Sequence, residues 1–175
     1  MPFIDFITKE QLQKAGMTKT ISAGFGAAKT IIPHAAGGYV YRKGKLNNMF
    51  FSLPPSLQTA AGMSSTATEM ANWIIALQNM QLLKKQSSMI SLWAPAVLNN
   101  GKTGGFSDLL NGYAAGWPVV SRAEHPAVAP VGGGRSAVFV YPEDNLSIII
   151  LTNLSGGSPD VFIDELAGLF IPGMK

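Results

Sequence analysis

Apolar side chains recur at helical spacing from the start of the chain. Phe3, Ile4, Ile7 and Leu12 share one face of a helix that Ala15-Gly16-Met17 closes. Residues 18–38 are rich in Gly, Ala, Thr and Pro without a sustained period, and they read as an ordered loop. The runs Gly38–Arg42 and Leu46–Phe50 flank Lys43-Gly44-Lys45 and predict a short peripheral hairpin. The strongest helical signal spans residues 66–80. Thr66 is placed to cap the Glu69 amide while the Glu69 carboxylate reaches back to the amide of Thr66, and Met70, Trp73, Ile74, Leu77 and Met80 form one apolar stripe. A second short helix is expected over Lys85–Trp93, stopped by Pro95.

After a Gly-rich stretch at 99–112 the pattern changes to strands, over Tyr113–Ser121, Ser136–Tyr141 and Leu146–Thr152. Pro142-Glu143-Asp144-Asn145 makes the last two an antiparallel hairpin. Ser147-Ile148-Ile149-Ile150-Leu151 does not alternate, which predicts burial on both faces. A closing helix is expected over Asp160–Phe170, entered through Ser158-Pro159 with acidic residues in its first turns.

Composition narrows the function. With 47% hydrophobic and 13% charged residues, the chain of 175 residues carries more apolar surface than a typical self-contained domain of its size. The net charge of +3 is dispersed, with no basic block interleaved with aromatics, which argues against nucleic-acid binding. Without cysteine there is no disulfide framework, no thiol nucleophile and no cysteine zinc site; His34 and His125 are the only imidazoles, and no metal or other cofactor is expected. The opening MPFIDFITKEQLQKAG lacks the basic and apolar regions of a secretory signal, and the Ile148–Leu151 run is far short of the about 20 residues that span a bilayer.

Several segments, taken in order, carry a family resemblance. AAGMSSTATEMANWIIALQNMQLL, then GYAAGW, then GGGRSAVFVYPEDNLSIIILTNLSGG with a closing helix, resemble the C-terminal half of the serine β-lactamase and penicillin-binding-protein superfamily, in its class C-like and esterase-like branch. PFIDFITKEQLQKAGMTKT is similar to the family segment that ends in a Pro-Leu-Gly-Met-x-Thr phrase. The resemblance implies acyl transfer through a serine ester, which needs a Ser-x-x-Lys pair, a Tyr-x-Asn or Ser-x-Asn relay, and a Lys/His-x-Gly strand. Neither of the first two motifs occurs in these 175 residues. The family places both upstream of the position that Met1 matches, so their absence reads as truncation, and the chain alone is expected to be inactive.

For the third element, Lys102-Thr103-Gly104 repeats the family's Lys-Thr-Gly letters in the wrong context, a Gly-rich loop one strand too early, and reads as solvated loop. Counting back from Val140-Tyr141-Pro142-Glu143 puts the equivalent place at Pro130-Val131-Gly132-Gly133. Proline at the Lys/His position has no charge and no proton to give. The Gly133 amide remains a candidate oxyanion donor once the missing half is present, with Pro130, Val131, Gly132, Gly134 and Arg135 as candidate substrate-binding residues. The bland alternatives are a flexible Gly132–Gly134 leading into the strand and a solvated Arg135. His125 reads as a surface residue rather than a displaced base, Trp73 and Trp117 as core, and Ser64 and Ser65 as capping residues.

The expected fold is therefore α/β (α+β), β-lactamase/transpeptidase-like, and only its C-terminal part: a three-stranded antiparallel meander with a closing helix plus lateral helices. Residues 1–175 form a portion of one domain, with helix, loops and hairpin over 1–60, a helical part over 61–112, and meander and terminal helix over 113–175. In the family, N-terminal strands lie beside the last strand. Their absence would leave residues 146–152 as an apolar edge, a site for the missing N-terminal half or for self-association, and the isolated chain is expected to be unstable. Three functions follow: part of a serine hydrolase acting on β-lactams, peptides or esters; a non-catalytic ligand- or partner-binding remnant of that fold; or an independent α+β assembly module. The compartment stays open, since family members that handle cell-wall substrates act outside the cytoplasm.

Overall fold

The computed structural model describes residues 1–25, 31–50 and 54–174. In chain order its elements are α1 (Phe3–Ile7), α2 (Thr18–Ala23), β1 (Gly38–Arg42), β2 (Lys45–Met49), α3 (Ala67–Gln78), α4 (Gln86–Trp93), β3 (Gly112–Tyr113), β4 (Pro118–Val120), β5 (Ala127–Val128), β6 (Val131–Gly132), β7 (Ser136–Tyr141), β8 (Leu146–Leu151), β9 (Leu154–Ser155) and α5 (Ile163–Ala167). The chain forms two compact units: residues 1–82 with 151–157, and residues 83–150 with 158–175.

In the first unit, α1 continues into a π-type turn at Thr8–Leu12, which brings Leu12 to 2% exposure beside Ala15, Met17, Phe25 and Ala76. Met70 and Trp73 of α3 pack on this cluster, and the Trp73 indole donates to Gln11 Oε1 at 3.1 Å. The start of α3 differs from expectation in one half of its cap. Thr66 Oγ1 accepts from the Glu69 amide at 3.2 Å as predicted, but the Glu69 carboxylate is not spent on Thr66. It turns toward α2 and accepts from the amides of Lys19 and Thr20 at 2.9 and 2.7 Å and from Thr20 Oγ1 at 2.6 Å. The free amides at a helix N-terminus attract a carboxylate, and α2 has no side-chain cap of its own. That helix also corrects the reading of 18–38 as loop, since residues 18–23 are helical; residues 26–30 of the same stretch lie outside the described residues.

The hairpin of β1 and β2 forms over the predicted range and is largely exposed, turning at Lys43 and Gly44, both at positive φ. The short β9 adds to it in parallel, with Tyr39 opposite Leu154, giving a three-stranded mixed sheet.

The second unit corrects the three-stranded meander to a six-stranded sheet. The expected strand Tyr113–Ser121 folds back on itself. Gly116 at φ +82° lets the chain reverse, and β3 pairs antiparallel with β4 through Gly112↔Val119. β4 pairs with β5, and both β5 and β6 pair with the same side of β7. Pairing of β7 with β8 completes the sheet. Its inner face holds Phe139 and Tyr141 of β7, Ile148 of β8 and Ile163, Ala167 and Ile171 of the C-terminal segment in one buried cluster. The closing helix is shorter than predicted: a 3-10 turn at Pro159–Val161 precedes α5. Nor is β8 buried on both faces. Only Ile148 is buried: Leu146, Ile148 and Ile150 pack on the core cluster, while Ser147, Ile149 and Leu151 alternate to the other face and stay partly or fully exposed.

Candidate functional site

The residues that the sequence singled out lie on one hairpin of the second unit. Residues 127–132 run antiparallel to β7 in a single register, Val128 opposite Val140 and Gly132 opposite Ser136. The ladder breaks between β5 and β6 at Ala129-Pro130. The Ala129 amide turns to β4 and donates to the Pro118 carbonyl at 2.8 Å, while Pro130 has no N–H to give β7 and only accepts, from Val138 N at 2.9 Å. A proline is tolerated there at the loss of one rung.

Beyond Gly132 the strand turns directly into β7, and from there into β8. Gly133 and Gly134 sit at φ +56° and +62°, and the Arg135 amide donates to the Gly132 carbonyl at 3.0 Å. Left-handed backbone at both central residues is what a tight hairpin turn requires, so the three glycines form a defined turn rather than a loose strand lead. The Gly134 carbonyl is held by the Ser158 amide at 2.9 Å. Val131, Gly132 and Gly133 are exposed, and Pro130, Gly134 and Arg135 are half-buried.

The other sequence candidates lie elsewhere. Lys102-Thr103-Gly104 is a loop exposed at Lys102 and Thr103, with Thr103 bridged to Val97 and its hydroxyl donating to the Asn111 carbonyl at 3.3 Å. Trp117 is buried edge-on against Trp93, with ring centroids 5.8 Å apart. Ser65 does not cap α3; its hydroxyl meets Thr20 Oγ1 at 2.7 Å.

His125 is not a plain surface residue. Its Nδ1 lies 2.8 Å from Asp144 Oδ1, and the pair joins the segment before β5 to the turn before β8. The neighbouring Arg122 donates from Nε to the His125 carbonyl at 2.9 Å and clamps Asp164 of α5 through two bonds of 2.6 and 3.2 Å. Asp164 also accepts from the Tyr141 hydroxyl at 2.8 Å. Burial raises the pKa of Tyr141, and the Asp164 carboxylate raises it further, so the phenol stays protonated and keeps donating. Sequence reading missed this network, because Arg122 and Asp164 are 42 residues apart and no local pattern links them. An open hollow of about 520 Å³ beside it is lined by Ala123, Glu124, His125, Glu143, Asp144, Pro172 and Gly173, and includes none of residues 130–135.

Pro130 supplies no side-chain acid or base.

Comparison with known proteins agrees with this architecture. The solved penicillin-binding protein from Bacillus halodurans superposes with a TM-score of 0.76 at 22% identity, over 97% of this chain and 50% of that one. A solved structure of SurE superposes with a TM-score of 0.69 at 17% identity, over 97% of this chain and 40% of that one. The chain thus spans half or less of the length of these two structures. No curated protein matches it. The Beta-lactamase family profile matches residues 1–170, nearly end to end, and the chain belongs to the beta-lactamase family.

Proposed function

We propose that this chain is the part of a β-lactamase-related serine hydrolase that builds one wall of an acyl-transfer site, acting on a β-lactam, peptide or ester once a nucleophile-bearing half is supplied. The observation that carries this reading is the Gly132–Gly134 turn, exposed at Gly132 and Gly133, on a strand leading straight into β7 and β8, within a family match over residues 1–170. In such a reaction a serine oxygen attacks a carbonyl, and the oxygen of the tetrahedral intermediate takes up negative charge. The Gly133 amide would donate to that oxygen, and the fixed turn would spare it reorganisation during the reaction. Arg135, beside it, suits a carboxylate on the substrate.

Pro130 favours a second reading, a non-catalytic remnant that keeps the wall and binds a ligand or partner, because it cannot polarise a substrate through its side chain. Incubation with a fluorescent penicillin and, separately, a fluorophosphonate, followed by intact-mass measurement, tests the main reading. The chain alone should remain unlabelled, and adding an upstream half that carries Ser-x-x-Lys should produce a stoichiometric adduct on that half. An adduct on a serine of the chain alone would overturn the reading; an upstream sequence without Ser-x-x-Lys and Tyr-x-Asn would favour the remnant.

A further inference from the structure

The hairpin that carries Pro130 and the glycine turn has two distinct faces. Ala127 and Ala129 on one side of it, and Ala137, Phe139 and Tyr141 of β7 on the other, lie in the inner core cluster. Alternation puts the intervening residues on the opposite face, with Val128, Pro130 and Gly132 across from Val140, Val138 and Ser136. A Lys or His side chain at position 130 would stand on this face, and proline takes its place. Of these six residues, all among those described, only Ser136 has a side-chain hydrogen-bonding group. Val128, Val138 and Val140 are buried, so the polar end of the face is where half-buried Ser136 meets exposed Gly132.

Ser136 Oγ lies over Gly132. A Cβ added to Gly132 would lie 2.7 Å from that oxygen, so the missing side chain leaves the room that the hydroxyl takes. The hydroxyl donates to the Gly132 carbonyl at 3.2 Å, long for an O–H···O bond, whose usual length is about 2.7–2.8 Å. A bond of that length gives way to a better acceptor at small cost.

We infer that Ser136 is a substrate-contacting residue, whose hydroxyl donates to a second carbonyl or carboxylate oxygen beside the scissile carbonyl of an acyl substrate. It supplies from β7 the side-chain donor that Pro130 cannot supply from the facing strand. The inference rests on the hydrolase reading and gives it a selectivity: a substrate with hydrocarbon in place of the second oxygen breaks the Gly132 bond and returns nothing to the hydroxyl.

Ser136→Ala and Ser136→Thr, each paired with the upstream half that carries Ser-x-x-Lys, test the contact through the rate of adduct formation. Loss of one hydrogen bond to the substrate should slow labelling by the fluorescent penicillin about 10-fold in the alanine variant. Threonine keeps the hydroxyl and suits a strand, so its rate should stay within about 3-fold of wild type. Labelling by the fluorophosphonate, which has no carbonyl or carboxylate beside its reacting phosphorus, should be the same in all three. An alanine variant that the penicillin labels at the wild-type rate overturns the contact and leaves the hydrolase reading standing. Equal slowing with both probes, or a threonine variant as slow as the alanine one, marks a structural role and overturns it too. So does a wild-type pair labelled by the fluorophosphonate and not by the penicillin. A wild-type pair that neither probe labels removes the hydrolase reading and this contact with it.

Discussion

Glu69 is 6% exposed and carries a carboxylate on which opposing effects act. Burial raises its pKa, while the Thr20 hydroxyl and the amides of Lys19 and Thr20 lower it, with net lowering from the ordinary 4.5. A group whose pKa is depressed on folding contributes its full stability above the unfolded value and loses it as pH falls through the folded one. Stability of the first unit should therefore decline below about pH 4.5, and Glu69→Gln should flatten that decline in urea titrations run between neutral and acid pH. Glu69→Ala, which leaves the Lys19 and Thr20 amides without their acceptor, should cost about 3 kcal/mol at neutral pH. Acid behaviour unchanged in the glutamine variant would mean the carboxylate is not the group that titrates.

Among the elements, α3 was the most legible, because its cap and apolar stripe are both local. Thr66→Ala should cost about 1 kcal/mol by removing the acceptor for the Glu69 amide, a loss that thermal unfolding measures. The hairpin of β1 and β2, the helix α4 and the strands β7 and β8 were legible for the same reason. The rest depends on partners distant in sequence. β4, β5 and β6 are three residues or fewer, too short for a period, and exist because neighbours complete their ladders. α2 is capped by a side chain some 50 residues away, so the chain around Thr18–Ala23 carries no signal of its own. The isoleucine run predicts burial on both faces, yet strand composition cannot say whether a packed layer covers each face. At the candidate site, the glycines and Pro130 could be placed by counting along a familiar pattern. Their roles as a tight turn and a missing rung needed the facing strand, and the His125–Asp144 and Arg122–Asp164 pairs had no sequence signature.

Across the molecule, the chain passes from the first unit to the second after Leu82 and returns for residues 151–157. Asn153 fastens this return, its amide side chain donating to the Gly37 carbonyl at 2.8 Å and its carbonyl accepting from Tyr39 at 2.8 Å. A specific protease site inserted between the exposed Lys84 and Lys85 should therefore yield two fragments that still elute together at neutral pH. Fragments that separate on size exclusion would show that β9 and Asn153 are too weak a fastening.

The position of β9 also bears on how the protein is made. β1 leaves the ribosome well before β9, and the strand that completes its sheet follows only after the Gly37–Asn153 separation of 116 residues has been translated. At about 5–20 residues per second the nascent hairpin waits roughly ten seconds with one flank open. Over that interval the growing chain exposes a strand edge that a holdase, or a neighbouring polysome product, can reach before its own β9 does.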